Sequence, residues 1–121
     1  MNKRILGAGF EKLAQDYLKQ AGYRIICENY RCPGAEIDLI AREGKYLVFV
    51  EVKERSRNTM GQGCEAVDDR KRERICHGAR FYLKSRHIDP MMPVRFDVVS
   101  IDGGRIRLIR NAFPYQGRTW I

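Results

Sequence analysis

The sequence predicts an α/β sandwich, a mixed sheet of about five strands with helices on its faces, in the order α-β-β-β-α-β-β. Three observations predict it. Two stretches carry apolar residues at helical spacing. Five shorter runs are rich in β-branched and aromatic residues. Glycine and proline punctuate the joins. Three strands precede the second helix and two follow it, so the chain is not a continuous βαβ winding and the sheet mixes parallel and antiparallel neighbours.

The first helix is read from Phe10, Leu13, Ala14, Tyr17, Leu18 and Ala21, which form one apolar stripe ended by Gly22. Glu11 flanks that stripe and falls in the helix's first turn, where a carboxylate also complements the dipole. Tyr23–Tyr30 reads as a strand, and Pro33-Gly34 breaks the chain after it. Glu36–Ala41 and Tyr46–Lys53 follow as a hairpin around Glu43-Gly44-Lys45. Glu54–Gly63 is polar and basic, a loop carrying Arg55 and Arg57. A second helix is expected over Glu65–Ser85 with Val67, Ile75, Ala79 and Tyr82 inward; Gly78 inside it costs about 1 kcal/mol of helix propensity. Val94–Ile101 and Arg105–Arg110 close the chain as a hairpin across Asp102-Gly103-Gly104.

At 121 residues the chain is expected to form one domain, 1–121, with a core that needs no disulfide or metal staple. Cys27, Cys32, Cys64 and Cys76 show no C-x-x-C spacing, which argues against zinc and for free thiols in a reducing cytoplasm. The basic start Met1-Asn2-Lys3-Arg4 runs into Glu11, Lys12 and Asp16 without an apolar stretch, so neither a signal peptide nor a membrane span is expected. The net charge of +8 instead points to an anionic partner, nucleic acid first. Sixteen of the 23 cations are Arg, the side chain that forks onto phosphate. Solubility alone is the competing account of the charge. No P-loop, dinucleotide-binding glycine run or Ser-His-Asp order is present.

Charge breaks the strand pattern in one place. In Tyr46–Lys53, Val48, Val50 and Val52 share one face while Leu47, Phe49, Glu51 and Lys53 share the other. In the partner run, Ile37, Leu39 and Ala41 lie on one face and Glu36, Asp38 and Ile40 on the other. A Gly44-Lys45 loop sets Asp38 opposite Glu51, and a Glu43-Gly44 loop sets Asp38 on the diagonal. Either register gathers Asp38, Glu51 and Lys53 on one face, whereas an odd loop without a bulge separates them. Carboxylates gathered this way repel unless a cation or proton lies between them. Mg²⁺ uses such a set, completed by water and substrate phosphate, with a lysine beside it to polarise the phosphate. An ordinary ion-pair network is the competing reading.

The runs Gly34-Ala35-Glu36-Ile37-Asp38-Leu39-Ile40-Ala41 and Val48-Phe49-Val50-Glu51-Val52-Lys53-Glu54-Arg55 resemble the signature of the YraN family, small bacterial proteins similar in fold to archaeal Holliday junction resolvases. Asp…Glu-x-Lys on a hairpin is the PD-(D/E)xK nuclease motif. The likeness covers nearly the whole chain, including Gly7–Leu18, Glu65-Ala66-Val67 with Lys71 and Arg74, and Arg95-Phe96-Asp97-Val98. The motif's Pro-Asp pair is absent, since Ile37 precedes Asp38, a departure the YraN pattern shares. The resemblance implies a restriction-endonuclease-like three-layer sandwich. It makes Asp38 and Glu51 ligands of Mg²⁺ (or Mn²⁺), Lys53 the catalytic lysine, and Glu11 a further catalytic and metal-site acid. Glu36 matches the pattern either as a supporting acid or as a hairpin salt bridge.

Lys71 falls on the inner stripe of the second helix, so it either reaches the site or snorkels its head into water. With Arg74 it is a candidate phosphate contact, as are Arg55 and Arg57 in the loop that leaves the Glu51–Lys53 strand end. Asp97 alternates with Arg95 and reads as its structural partner; Tyr115 and Trp120 suit a core edge better than base stacking. Two function classes follow. One is a metal-dependent endonuclease acting on DNA, branched or otherwise structured DNA included, working as a monomer or a homodimer. The other is a nucleic-acid-binding module that keeps the nuclease fold without cleaving.

Overall fold

The computed structural model describes residues 3–55 and 68–115, without the side chains of 3–8 and 55. The predicted order holds: α1 (Lys3–Gln20), β1 (Arg24–Cys32), β2 (Ala35–Glu43), β3 (Tyr46–Arg55), α2 (Asp69–Ser85), β4 (Val94–Asp102) and β5 (Arg105–Ile109). The strands lie in the sheet in chain order. All neighbours are antiparallel except β3 and β4, which run parallel. A parallel pair needs a crossover, and α2 lies within it. Ile75, Ala79, Tyr82 and Leu83 of α2 pack on Ile37, Ile40, Phe49, Phe96 and Val98 of one sheet face. Ala14 and Leu18 of α1 pack on Leu39, Ala41, Val48, Val50 and Val99 of the other. The result is a three-layer α/β sandwich of the restriction-endonuclease-like type. Its central strands are apolar on both faces because both faces are covered. Among the described residues no helix is long and apolar enough to cross a membrane.

Both helices begin elsewhere than the apolar periodicity suggests. α1 starts at Lys3, with no acid in its first turn. Glu11 therefore lies in about the third turn, and the dipole role read for it falls away. The helix ends as expected. Gly22 takes φ 98°, Tyr23 N–H bonds the Leu18 carbonyl at 2.9 Å, and Gly22 N–H bonds that of Lys19 at 3.1 Å, the paired bonds of a Schellman cap. α2 starts at Asp69 rather than at Glu65, because Asp68 is its N-cap and accepts from Lys71 N–H at 2.9 Å. The readings made on Glu65, Val67, Arg57, Cys64, Trp120 and the side chain of Arg55 lie outside the described residues. Gly78 has a packing reason: a Cβ there would stand 2.9 Å from Ile37 Cδ1 and 3.2 Å from Ala35 Cβ.

The β2–β3 loop decides the register. Glu43 pairs with Tyr46, leaving Gly44-Lys45 as a two-residue turn with positive φ (58°) at Gly44. Leu39 then faces Val50, the last pair of the ladder, and Asp38 and Glu51 are the next residues on the two strands. Strict alternation fails at that point. Ile37 belongs to the α2-side core with Ile40, not to the α1 side with Leu39 and Ala41. The kink at Asp38 is matched on β1, where Asn29 adopts φ 54° between the paired residues Glu28 and Tyr30.

At the start of β4, Asp97 is fully buried and satisfied. It accepts from Tyr23 Oη (2.6 Å), Arg95 Nε (2.9 Å), Arg95 Nη2 (2.8 Å) and Asn111 N (2.9 Å). Arg95 also pairs with Glu43. The Asp97–Arg95 pair is thus structural, as read from its spacing. Tyr115 likewise closes the core, edge-on to Phe96 at 5.4 Å between centroids.

Candidate active site

Where β2 kinks, its backbone no longer supplies the ladder, and the Asp38 side chain does so instead: Oδ2 accepts from Val52 N–H at 2.8 Å. That bond orients the carboxylate toward β3, whose Glu51 is buried at 6% exposure. Two acids are thereby brought side by side. Burial raises the Asp38 pKa first and the Glu51 charge second; the Val52 N–H and Lys71 oppose them, and the value is pushed up to about 7.

Two lysines face the pair. Lys71, from the first turn of α2, places Nζ 2.8 Å from Glu51 Oε1; Lys53, two residues along β3, stands 3.9 Å from the same oxygen. Burial and the neighbouring Lys71 lower the Lys53 pKa, with Glu51 and Asp38 pulling the other way. For Lys71 burial also acts downward, but the Glu51 hydrogen bond and the other contacts outweigh it, and the net shift is upward. Of the two readings open for Lys71, the structure selects the inward one. The Asp68 cap contributes, since it fixes the turn from which Lys71 departs.

Glu11 approaches from the opposite layer. Its carboxyl is shifted upward by burial and then by the Asp38 charge, while a hydrogen bond with the Asn29 side chain opposes the shift. Asn29 escaped the sequence reading. Its signal, an Asn in a strand of Ile and aromatic residues, gains meaning only with the left-handed backbone opposite Asp38. Among the described residues no three carboxylate, cysteine or histidine side chains close around a common point. A divalent ion would accordingly rest on Asp38 and Glu51. One or two carboxylates with water and phosphate are the usual ligation of Mg²⁺, so the donor set fits.

A groove of about 700 Å³ opens beside these groups, lined among others by Arg31, Glu36, Asp38, Glu51, Lys71 and Arg74. Arg74 stands one turn beyond Lys71, as the helical spacing implies. Arg31 is a second residue that sequence reasoning missed. It sits at the β1 end and reaches the groove only because the Pro33-Gly34 turn folds β1 against β2, pairing Arg31 with Glu36 at 3.6 Å. Glu36 is therefore a hairpin salt bridge on the groove's rim.

The comparisons with known proteins agree over the same residues. The model of Uncharacterised protein family UPF0102 matches residues 10–101. A UPF0102 protein of Lachnoclostridium phytofermentans is 45% identical over 117 residues, 97% of this chain and 99% of the relative. One of Legionella pneumophila is 44% identical over 105 residues, covering 85% and 89%. One of Desulforapulum autotrophicum is 45% identical over 115 residues, covering 92% and 94%. With its fold, its hairpin motif and these relatives agreeing, the chain belongs to UPF0102, the YraN family that the Asp38 and Glu51–Lys53 segments resemble.

Proposed function

We propose that this groove hydrolyses phosphodiester bonds in DNA with Mg²⁺ or Mn²⁺, in the manner of the PD-(D/E)xK nucleases. One observation carries the reading: Asp38 and Glu51 line a groove together with Arg31, Lys71 and Arg74, and Lys53 stands 3.9 Å from the same Glu51. Asp38 and Glu51 would hold the ion, and Glu11, on α1, is a further acid that feels the Asp38 charge. When bound, a divalent ion supplies positive charge to the phosphate and makes water more acidic.

The chain's own residues do the rest. Asp38, which lines the groove, is held in place by the Val52 N–H. Lys53 offers an ammonium beside Glu51, where it meets the charge that develops on a phosphate oxygen. Arg31 and Arg74 face the groove with charge that suits flanking phosphates. The overall +8 supports DNA as the partner through counterion release.

A specific contact favours a second reading, a binding module without cleavage. Lys71 neutralises Glu51 directly, so the acid has a resident partner in the protein alone. A panel of single-stranded, duplex, flap and four-way DNA, incubated with Mg²⁺ or Mn²⁺, separates the two. Cleavage that is lost in Asp38→Asn and with chelator supports the nuclease. Binding of every substrate without a cut supports the module.

A further inference from the structure

Resting on the metal-dependent reading, we propose that the Lys71 ammonium occupies the place at Glu51 that a divalent cation takes, so that metal binding is an exchange which turns Lys71 into the groove toward phosphate. The geometry of one oxygen carries the inference. Glu51 Oε1 is buried and has two lysines within reach, at 2.8 Å from Lys71 and 3.9 Å from Lys53. Only the shorter distance is that of a charge-assisted hydrogen bond. This oxygen is thus committed to Lys71, and an ion that takes it displaces that bond.

Lys71 has somewhere to go. Its side chain is 39% exposed, against 7% for Glu51, and it lines the groove with Arg74. Its backbone is pinned by the Asp68 cap, so the exchange needs rotation of a flexible four-carbon stem and no movement of α2. Lys53 differs in each respect. It is 20% exposed, it is anchored in the parallel β3–β4 ladder opposite Ser100, and it makes only the longer contact. The two lysines therefore divide the work: Lys53 stays with the strand, and Lys71 moves.

An unusual sign follows. Removing a residue that merely supports a metal site weakens metal binding, whereas removing one that competes for a ligand strengthens it. Mn²⁺ titrated into the full chain, read by calorimetry or by the free-ion electron paramagnetic resonance signal, should bind Lys71→Met about ten-fold more tightly than wild type. Lys71→Arg, which keeps the charge, should stay near wild type. In wild type the Nζ resonance of Lys71 should lose its carboxylate-bonded shift when Mg²⁺ is added, a measurement that needs no variant to fold. Equal or weaker Mn²⁺ binding by a folded Lys71→Met, or a Lys71 signal unmoved by bound Mg²⁺, overturns the exchange and leaves the metal site standing. Failure of both wild type and Lys71→Met to bind Mn²⁺ overturns the metal site and the exchange together.

Discussion

Asp38 commits one carboxylate oxygen to the Val52 N–H and presents the rest of its charge to Glu51, and these two demands oppose each other. The backbone bond favours the ionised form; burial and Glu51 favour the protonated one and prevail, raising the pKa from 3.8 to about 7. A carboxyl that holds its proton more tightly in the fold stabilises the fold fully below its unfolded value, and this contribution is lost as pH rises through the folded value. Asp38→Asn keeps an oxygen for Val52 but cannot ionise. Relative to wild type it should therefore gain roughly 2–3 kcal/mol between pH 5 and pH 8, measured from urea midpoints at each pH. Mg²⁺ at pH 8 should narrow that gap by stabilising wild type alone, and an equal Mg²⁺ response in both proteins would count against the site. Lys53 gives a kinetic counterpart. Lys53→Met retains the stem and should lower single-turnover cleavage about 10²–10³-fold while the fold survives. A rate indifferent to the change would remove Lys53 from the mechanism.

At the scale of elements, the site depends on a turn and a close approach. Gly44-Lys45 sets the register that brings Asp38 to Glu51, and a slip of one residue would send every β2 side chain to the other face. Gly78 lets α2 settle onto β2 at Ala35 and Ile37, which holds the first turn of that helix, and so Lys71, over Glu51. Gly78→Val should overpack this contact and cost about 1–3 kcal/mol in urea denaturation, although valine is the better helix former. Unchanged stability would mean that the helix rests elsewhere. The sequence reading found Gly78 and counted only its propensity, since the opposing Ile37 side chain belongs to a different strand. The hairpin was more legible, because glycine at the loop and alternating residues on either side specify each other locally.

For the whole molecule, the excess of 8 positive charges predicts salt-sensitive binding to DNA. Arg31 and Arg74 flank the groove from β1 and α2, so they should contribute to that dependence from two sides. Their double replacement by Ala should make the slope of log K against log[salt] shallower by roughly 1 to 2 units, read from fluorescence anisotropy at several salt concentrations. A slope that does not move would place the DNA on another surface. Three acids, Asp38, Glu51 and Glu36, line the same groove as these cations. A polyanion is expected to bind there more tightly when Mg²⁺ is present than when it is absent.

The order of the elements, the mixed sheet and the grouping of Asp38, Glu51 and Lys53 on one hairpin were determined by the sequence alone. Each depends on residues near one another in the chain, where periodicity and turn chemistry act directly. The partners of those residues were decided by tertiary structure. Lys71 had two open readings until the Asp68 cap and the packing at Gly78 placed its helix turn over Glu51. Arg31, Asn29 and Glu11 come to the site from β1 and α1, and nothing in their local spacing records it. The kink that turns Ile37 to the α2 side likewise has no signature in an alternating strand. It coincides with the Asp38 carboxylate accepting from the Val52 N–H, a contact between two strands that exists only once they have met.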